Sequence, residues 1–147
     1  MLKLTRKTLL AIEAVVDIAY NARPDPVQAR DVTERQGIPQ RYLEQVMQAL
    51  VRAGVLKGVR GPRGGYTLAR ERRRVTVGDV VRVVSTLDAE EGEAGPASPL
   101  GAAVVSPLWE DMQRDLLDRL DRITMEDLCR EAQRQDVPRA DETRPAF

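Results

Sequence analysis

At 147 residues the chain is of one-domain size, long enough to bury a core without disulfide or metal staples. One Trp, one Phe and three Tyr leave Leu, Val, Ile and Ala to build that core, which argues against a large aromatic-lined pocket. The net charge of zero conceals a split after Thr86, with 16 Lys and Arg against 8 acids before that point and 7 against 15 beyond it, so a polyanion-binding front joined to an acidic region is expected.

Leu9, Ile12, Val15, Val16 and Ala19 recur at helical spacing, predicting a first amphipathic helix from Thr5 to Ala22 that Pro24 and Pro26 stop. Glu13 and Asp17 interrupt its apolar run, and nothing approaches the apolar length of a membrane span. The single cysteine, Cys129, cannot form an internal disulfide, and a soluble cytoplasmic location is expected. A second helix over Ala29 to Gln36 closes at Gly37, and Pro39 suits the first turn of a third. That third helix carries Leu43, Val46, Met47 and Leu50 on one face and ends at Gly54. Val55 to Val59 and Tyr66 to Ala69 flank a tip of Gly61, Pro62, Arg63, Gly64 and Gly65, which reads as a β-hairpin.

Thr76 and Asp79 have capping-box spacing ahead of Val77, Val80, Val81 and Val84, predicting a fourth helix. From Asp88 to Val105 the composition lacks periodicity and reads as an exposed loop, in which Glu90, Glu91 and Glu93 are more simply solvated than cation-binding. Ser106 and Pro107 suit the N-cap and first residue of a long helix striped with Leu108, Met112, Leu116, Leu120 and Ile123. Thr124 and Asp127 could cap a last short helix bearing Met125, Leu128 and Ala132. The fold class expected is mainly α with a small β-hairpin wing. Residues 1–86 read as a winged helix-turn-helix, 87–106 as a flexible loop, 107–135 as dimerisation and C-terminal helices, and 136–147 as a disordered tail.

A helix in the major groove needs donors and acceptors on its outer face and an apolar anchor behind. Gln40, Arg41, Glu44 and Gln45 supply the first: Arg41 matches guanine acceptors, the glutamines match adenine, and Glu44 matches the cytosine amino group. Arg60 and Arg63 can enter a narrow minor groove beside Gly61, while Arg52 and Lys57 suit the flanking phosphates. Thr5, Lys7, Gln28, Pro39 and Tyr42 complete the expected DNA face.

The order of RKTLLAIEAVVDIA, ERQGIPQRYLEQVMQALVRAGVLKGVRGPRGGYTLAR and VTVGDVV resembles Rrf2-type regulators, and the stretch from YLEQ to VRGPRGGY is the specific part. The resemblance implies a homodimer in which the long helix crosses its partner, the alternative for its apolar stripe being packing on its own chain. Many Rrf2 regulators hold an iron-sulfur cluster on three cysteines in the loop before that helix. Here the loop has no cysteine and the chain no histidine, so no cofactor is expected. Cys129 reads as a small buried hydrophobe, with a redox-active thiol or a ligand of an atypical cluster as rivals.

The function expected is sequence-specific transcription regulation by a repressor binding double-stranded DNA as a homodimer on an inverted repeat. The alternative is a winged-helix module for protein-protein interaction. An enzyme is not expected, since no histidine, metal-ligand cluster or phosphate-binding glycine loop opening a helix is found.

Overall fold

The structure, a computed structural model, describes residues 5–22, 25–89 and 98–140. Helix α1 (Arg6–Asn21) is the mast of the fold. Its buried face is Ala11, Ala14, Val15, Ile18 and Ala19, and the small side chains let neighbouring elements approach its backbone from several sides. Helix α2 (Ala29–Gln36), helix α3 (Gln40–Arg52), strand β2 (Gly65–Leu68), helix α4 (Val77–Ala89) and helix α6 (Met125–Arg134) all pack on it. Strand β1 (Leu56–Val59) pairs antiparallel with β2, Leu56 facing Leu68 and Val59 facing Gly65, and helix α5 (Ser106–Leu120) packs on α4.

The local signals act as the sequence predicts at most boundaries. Gly37 and Gly54 take φ values of +66° and +77°, ending α2 and α3 in the left-handed conformation that a side chain disfavours. Both capping boxes form: the Thr76 hydroxyl accepts from the Asp79 amide at 3.1 Å while the Asp79 carboxylate accepts from the Thr76 amide at 3.0 Å, and Thr124 and Asp127 repeat the pattern at 3.1 and 3.0 Å. The two helix starts lie side by side, because the Val77 amide donates to the Ile123 carbonyl and the Met125 amide to that of Val75. Arg82 then reaches from α4 to Asp121 at 2.6 and 2.7 Å, holding that carboxyl below its usual pKa.

Two expectations for the C-terminal half need correction. The long helix does not begin at Ser106: helical structure starts at Pro99, where the Ser98 hydroxyl accepts from the Gly101 amide at 3.1 Å. A π-helical segment, Gly101–Val105, leads into α5, with the Ser106 amide donating five residues back to Gly101. The chain thus offers two Ser-Pro signatures eight residues apart, and the earlier one opens the helix. Pro107, which has no amide hydrogen to donate, is accommodated just after the shift in hydrogen-bond register. Nor are residues 137–140 frayed: Tyr20 donates its hydroxyl to the Val137 carbonyl at 2.6 Å, and the Ala140 amide donates to Asn21 at 2.8 Å. Glu90, Glu91, Glu93 and residues 141–147 lie outside the described residues.

The expected stripe on α5 divides between two surfaces. Leu120 and Ile123 pack, with Leu117, against the chain's own core, whereas Leu108 and Met112 are 58% and 55% exposed. Leu116 is half-buried. Trp109, absent from the expected stripe, joins the outer set at 49% exposed, as do Leu100, Val104 and Val105.

At the centre of the HTH, the Asp17 carboxylate lies inside the protein at 3% exposure. It accepts from Arg35 through Nε at 2.9 Å and Nη2 at 2.8 Å, and from Gln36 Nε2 at 2.8 Å. The two-pronged pair raises the Arg35 pKa above the usual arginine value and joins α1 to the last turn of α2. Arg35→Ala would leave a buried anion with one amide donor; the expected loss is about 2–4 kcal/mol in urea unfolding, somewhat below a fully buried pair because the guanidinium is partly solvated. A loss under about 0.5 kcal/mol, the size usual for a surface substitution, would contradict this account of the clamp.

Candidate nucleic-acid interface

Helix α3 presents opposite faces to core and solvent. Leu43, Val46, Met47 and Leu50 are buried, while Gln40, Arg41, Glu44, Gln45 and Gln48 are exposed, so every polar group expected to read bases is accessible. Gln40 donates to Glu44 one turn later at 3.2 Å. An amide dipole therefore already faces the carboxylate, the group whose presence near phosphates needs a compensating donor.

The N-terminus of α1 is tied to the start of α3. The Tyr42 hydroxyl donates to the Lys7 carbonyl at 2.5 Å, and Lys7 Nζ sits 5.9 Å from the Tyr42 ring centroid. Thr5, the N-cap of α1, and Lys7 are exposed, and Tyr42 is half-buried. The structure thus brings Lys7 and Tyr42 together on one patch, with Pro39 exposed as the N-cap of α3 three residues before the tyrosine.

The two-stranded wing is tied to the segment before α2 by an isolated β-bridge. Val27 bridges Tyr66 through a pair of hydrogen bonds of 2.9 and 2.7 Å, which fastens the segment before α2 to β2. Gln28, the N-cap of α2, consequently lies against Gly65. Sequence reasoning set Gly61 beside the minor groove, and the structure divides the tip glycines by role. A Cβ on Gly65 would lie 2.4 Å from the Val27 carbonyl oxygen and one on Gly64 2.2 Å from that of Val59, so both are required for internal packing. Gly61, with φ +115° and open space around its Cβ position, is the glycine at the solvent-facing tip. Arg60 and Arg63 flank it and are exposed, as are Lys57 on β1 and Arg52 in the last turn of α3.

Sequence reasoning missed the tie from Lys7 to Tyr42 and the isolated bridge at Val27. A single isolated bridge leaves no periodicity to detect, and a contact across 35 residues leaves none either. Cys129 is 2% exposed, within the core cluster that includes Met125. That agrees with its reading as a small hydrophobe.

The profile of a family described as "Rrf2: Iron-dependent Transcriptional regulator" matches residues 4–131. Among curated relatives, the HTH-type transcriptional regulator IscR of Vibrio campbellii is 33% identical over 144 residues, covering 92% of this chain and 86% of the relative. Its counterpart in Klebsiella pneumoniae is 34% identical over 138 residues, covering 92% and 85%. Among solved structures, the fold is similar to T. potens IscR, with a TM-score of 0.72 and 33% identity over 95% of this chain and 94% of that one. It is also similar to CymR (YrzC), the global cysteine regulator of B. subtilis, with a TM-score of 0.68 and 28% identity over 89% and 98%.

The iron in the family's description finds a poor match here. The chain has one cysteine and no histidine, and the described residues contain no group of three or more Cys, Asp or Glu placed to hold a metal ion. The lone thiol faces the apolar core. These residues do not fit a thiolate-held cluster.

Proposed function

The chain belongs to the Rrf2 family and is a DNA-binding transcriptional regulator, not an enzyme; from that premise we propose that it acts as a homodimeric repressor on an inverted-repeat operator. The exposed polar face of α3, backed by four buried anchors, is the observation that carries the proposal. Gln40, Arg41, Glu44 and Gln45 read base edges in the major groove. Arg60 and Arg63 hold the adjoining minor groove around Gly61, and Thr5, Lys7, Gln28, Arg52, Lys57, Pro39 and Tyr42 position the backbone.

The same reading assigns a second copy to the outer face of α5. Leu108, Trp109 and Met112, continued by Val104 and Val105, form a contiguous apolar stripe on a helix with no fully buried residue. Such patches on a monomer mark interaction sites. Two copies joined there present two α3 helices to half-sites about 34 Å, or a multiple of that, apart.

Three outcomes are expected. Arg60→Ala weakens binding to specific and random duplexes alike and lowers the salt slope by about one, whereas Glu44→Ala mainly redistributes preference at one base pair by about 1–3 kcal/mol. Fluorescence anisotropy across a salt series and an operator library separates the two, and equal losses on all duplexes from both substitutions would contradict the division of roles. Introducing Trp109→Glu together with Met112→Glu gives a monomer by light scattering with unchanged helical circular dichroism, and operator affinity falls on the order of a hundredfold through lost bivalency. A persistent dimer would remove α5 as the seam. Finally, protein purified anaerobically is colourless and iron-free while still binding its operator; visible charge-transfer bands with stoichiometric iron would overturn regulation without a cluster.

A further inference from the structure

A groove of about 600 Å³ runs between α1 and α6 on a part of the molecule that the DNA-reading residues do not line. Ile12 and Val16 form one wall, Leu128 and Ala132 the other. Val137 and Pro138 close one end, strapped down by the bonds from Tyr20 to Val137 and from Ala140 to Asn21. The clamp of Asp17, Arg35 and Gln36 also lines the groove. The volume is that of a site for a small organic molecule, and the predominantly apolar walls with a few polar groups at the rim have the usual composition of one.

The charges at the rim specify what enters. Arg35 is occupied by Asp17, and Glu131 accepts from Arg134 and, at 3.0 Å, from Gln135. Glu13 is exposed on the same lining and has no ion pair or hydrogen bond among the described residues. An apolar trough thus ends with one uncompensated carboxylate at its edge, beside the solvent. Its complement is a monocation with an apolar body.

We propose that this groove binds a small amphipathic amine, its ammonium at Glu13 and its hydrocarbon between Ile12, Val16, Leu128 and Ala132, and that occupancy alters DNA binding. The second half of the proposal rests on the regulator reading; the first does not. Arg35 and Gln36 both line the groove and form the last turn of α2, immediately before the Gly37 turn into α3. A ligand that bears on them acts on the joint that sets α2 against α1. By linkage, DNA must change amine affinity by the same factor that the amine changes DNA affinity.

The probe is 4-phenylbutylamine, with 4-phenylbutan-1-ol and 4-phenylbutyrate as neutral and anionic partners of matched shape, titrated into the full-length protein by calorimetry at neutral pH. The amine is expected to bind about tenfold more tightly than the alcohol, with the carboxylate weakest. Glu13→Gln, a surface substitution, brings amine and alcohol to within about twofold, and Ala132→Phe, which fills the trough, weakens all three. Equal affinities for the three probes, or no binding of the amine at millimolar concentration, would overturn the site. Loss of the dimer in Glu13→Gln, with no amine uptake by the parent protein, would overturn it too and assign the groove to a second copy. If the amine binds as expected but operator affinity is the same with and without it, the regulatory half fails while the site stands. If no duplex binds at all, the regulator reading fails and the amine series still decides the site.

Discussion

The arrangement of the helix-turn-helix depends on one carboxylate placed where water cannot reach it. Asp17 lies on the buried face of α1, between Ala14 and Ile18, and an anion there is tolerable only if its oxygens are fully answered. Arg35 and Gln36 answer them with three donors from consecutive residues of α2. Because a two-pronged guanidinium contact is satisfied over a narrow range of angles, it specifies how α2 lies across α1 as well as holding it there. α3 follows after the Gly37 turn and is anchored by its own apolar face, so the direction of its exposed glutamines, Arg41 and Glu44 follows from a bond made two helices away.

Around that joint, the fold positions its basic edge through short backbone ties. The Val27 bridge to Tyr66 attaches the entry to α2 to the wing, and the Tyr42 hydroxyl attaches α3 to the first turn of α1. Gly65 is the cost of the first tie, since a side chain there would meet the Val27 carbonyl well inside contact distance, and Gly64 is required by the hairpin itself, against the Val59 carbonyl. The wing tip is therefore carried on a scaffold whose register cannot slip without breaking the Val27 pair. The acidic C-terminal half is knitted to the start of α4 by the backbone bonds from Val77 to Ile123 and from Met125 to Val75, and to α4 itself by Arg82 with Asp121, while Arg41 and Arg52 on α3 and Lys57, Arg60 and Arg63 on the hairpin make no ion pair among the described residues.

Helix α5 shows how one apolar stripe can serve two surfaces. Its C-terminal end turns Leu117 and Leu120 toward the core with Ile123 just beyond, and its N-terminal end carries Leu108, Trp109 and Met112 into solvent. The π-helical segment shifts the hydrogen-bond register ahead of Pro107 and extends the helix backward, so that Leu100, Val104 and Val105 lengthen the outer stripe.

Local chemistry in the sequence determined a good deal unaided. Gly37 and Gly54 end helices because a left-handed residue stops one, Thr76 with Asp79 and Thr124 with Asp127 start them because each pair satisfies free amides, and alternating faces on α3 separated its anchors from its polar side. Each of these is an interaction over four residues or fewer, which is the range that spacing encodes. Asp17 looked in the sequence like a mere break in an apolar run, and Trp109 like a residue off the stripe, because neither the partner 18 residues away nor the true start of the helix is written in local pattern. Tertiary structure alone decided that the first became the clamp of the HTH, that the stripe of α5 was shared between core and solvent, and that residues 137–140 closed a groove. Those outcomes follow from which surfaces meet in space, and periodicity records only that a surface must be covered, never by what.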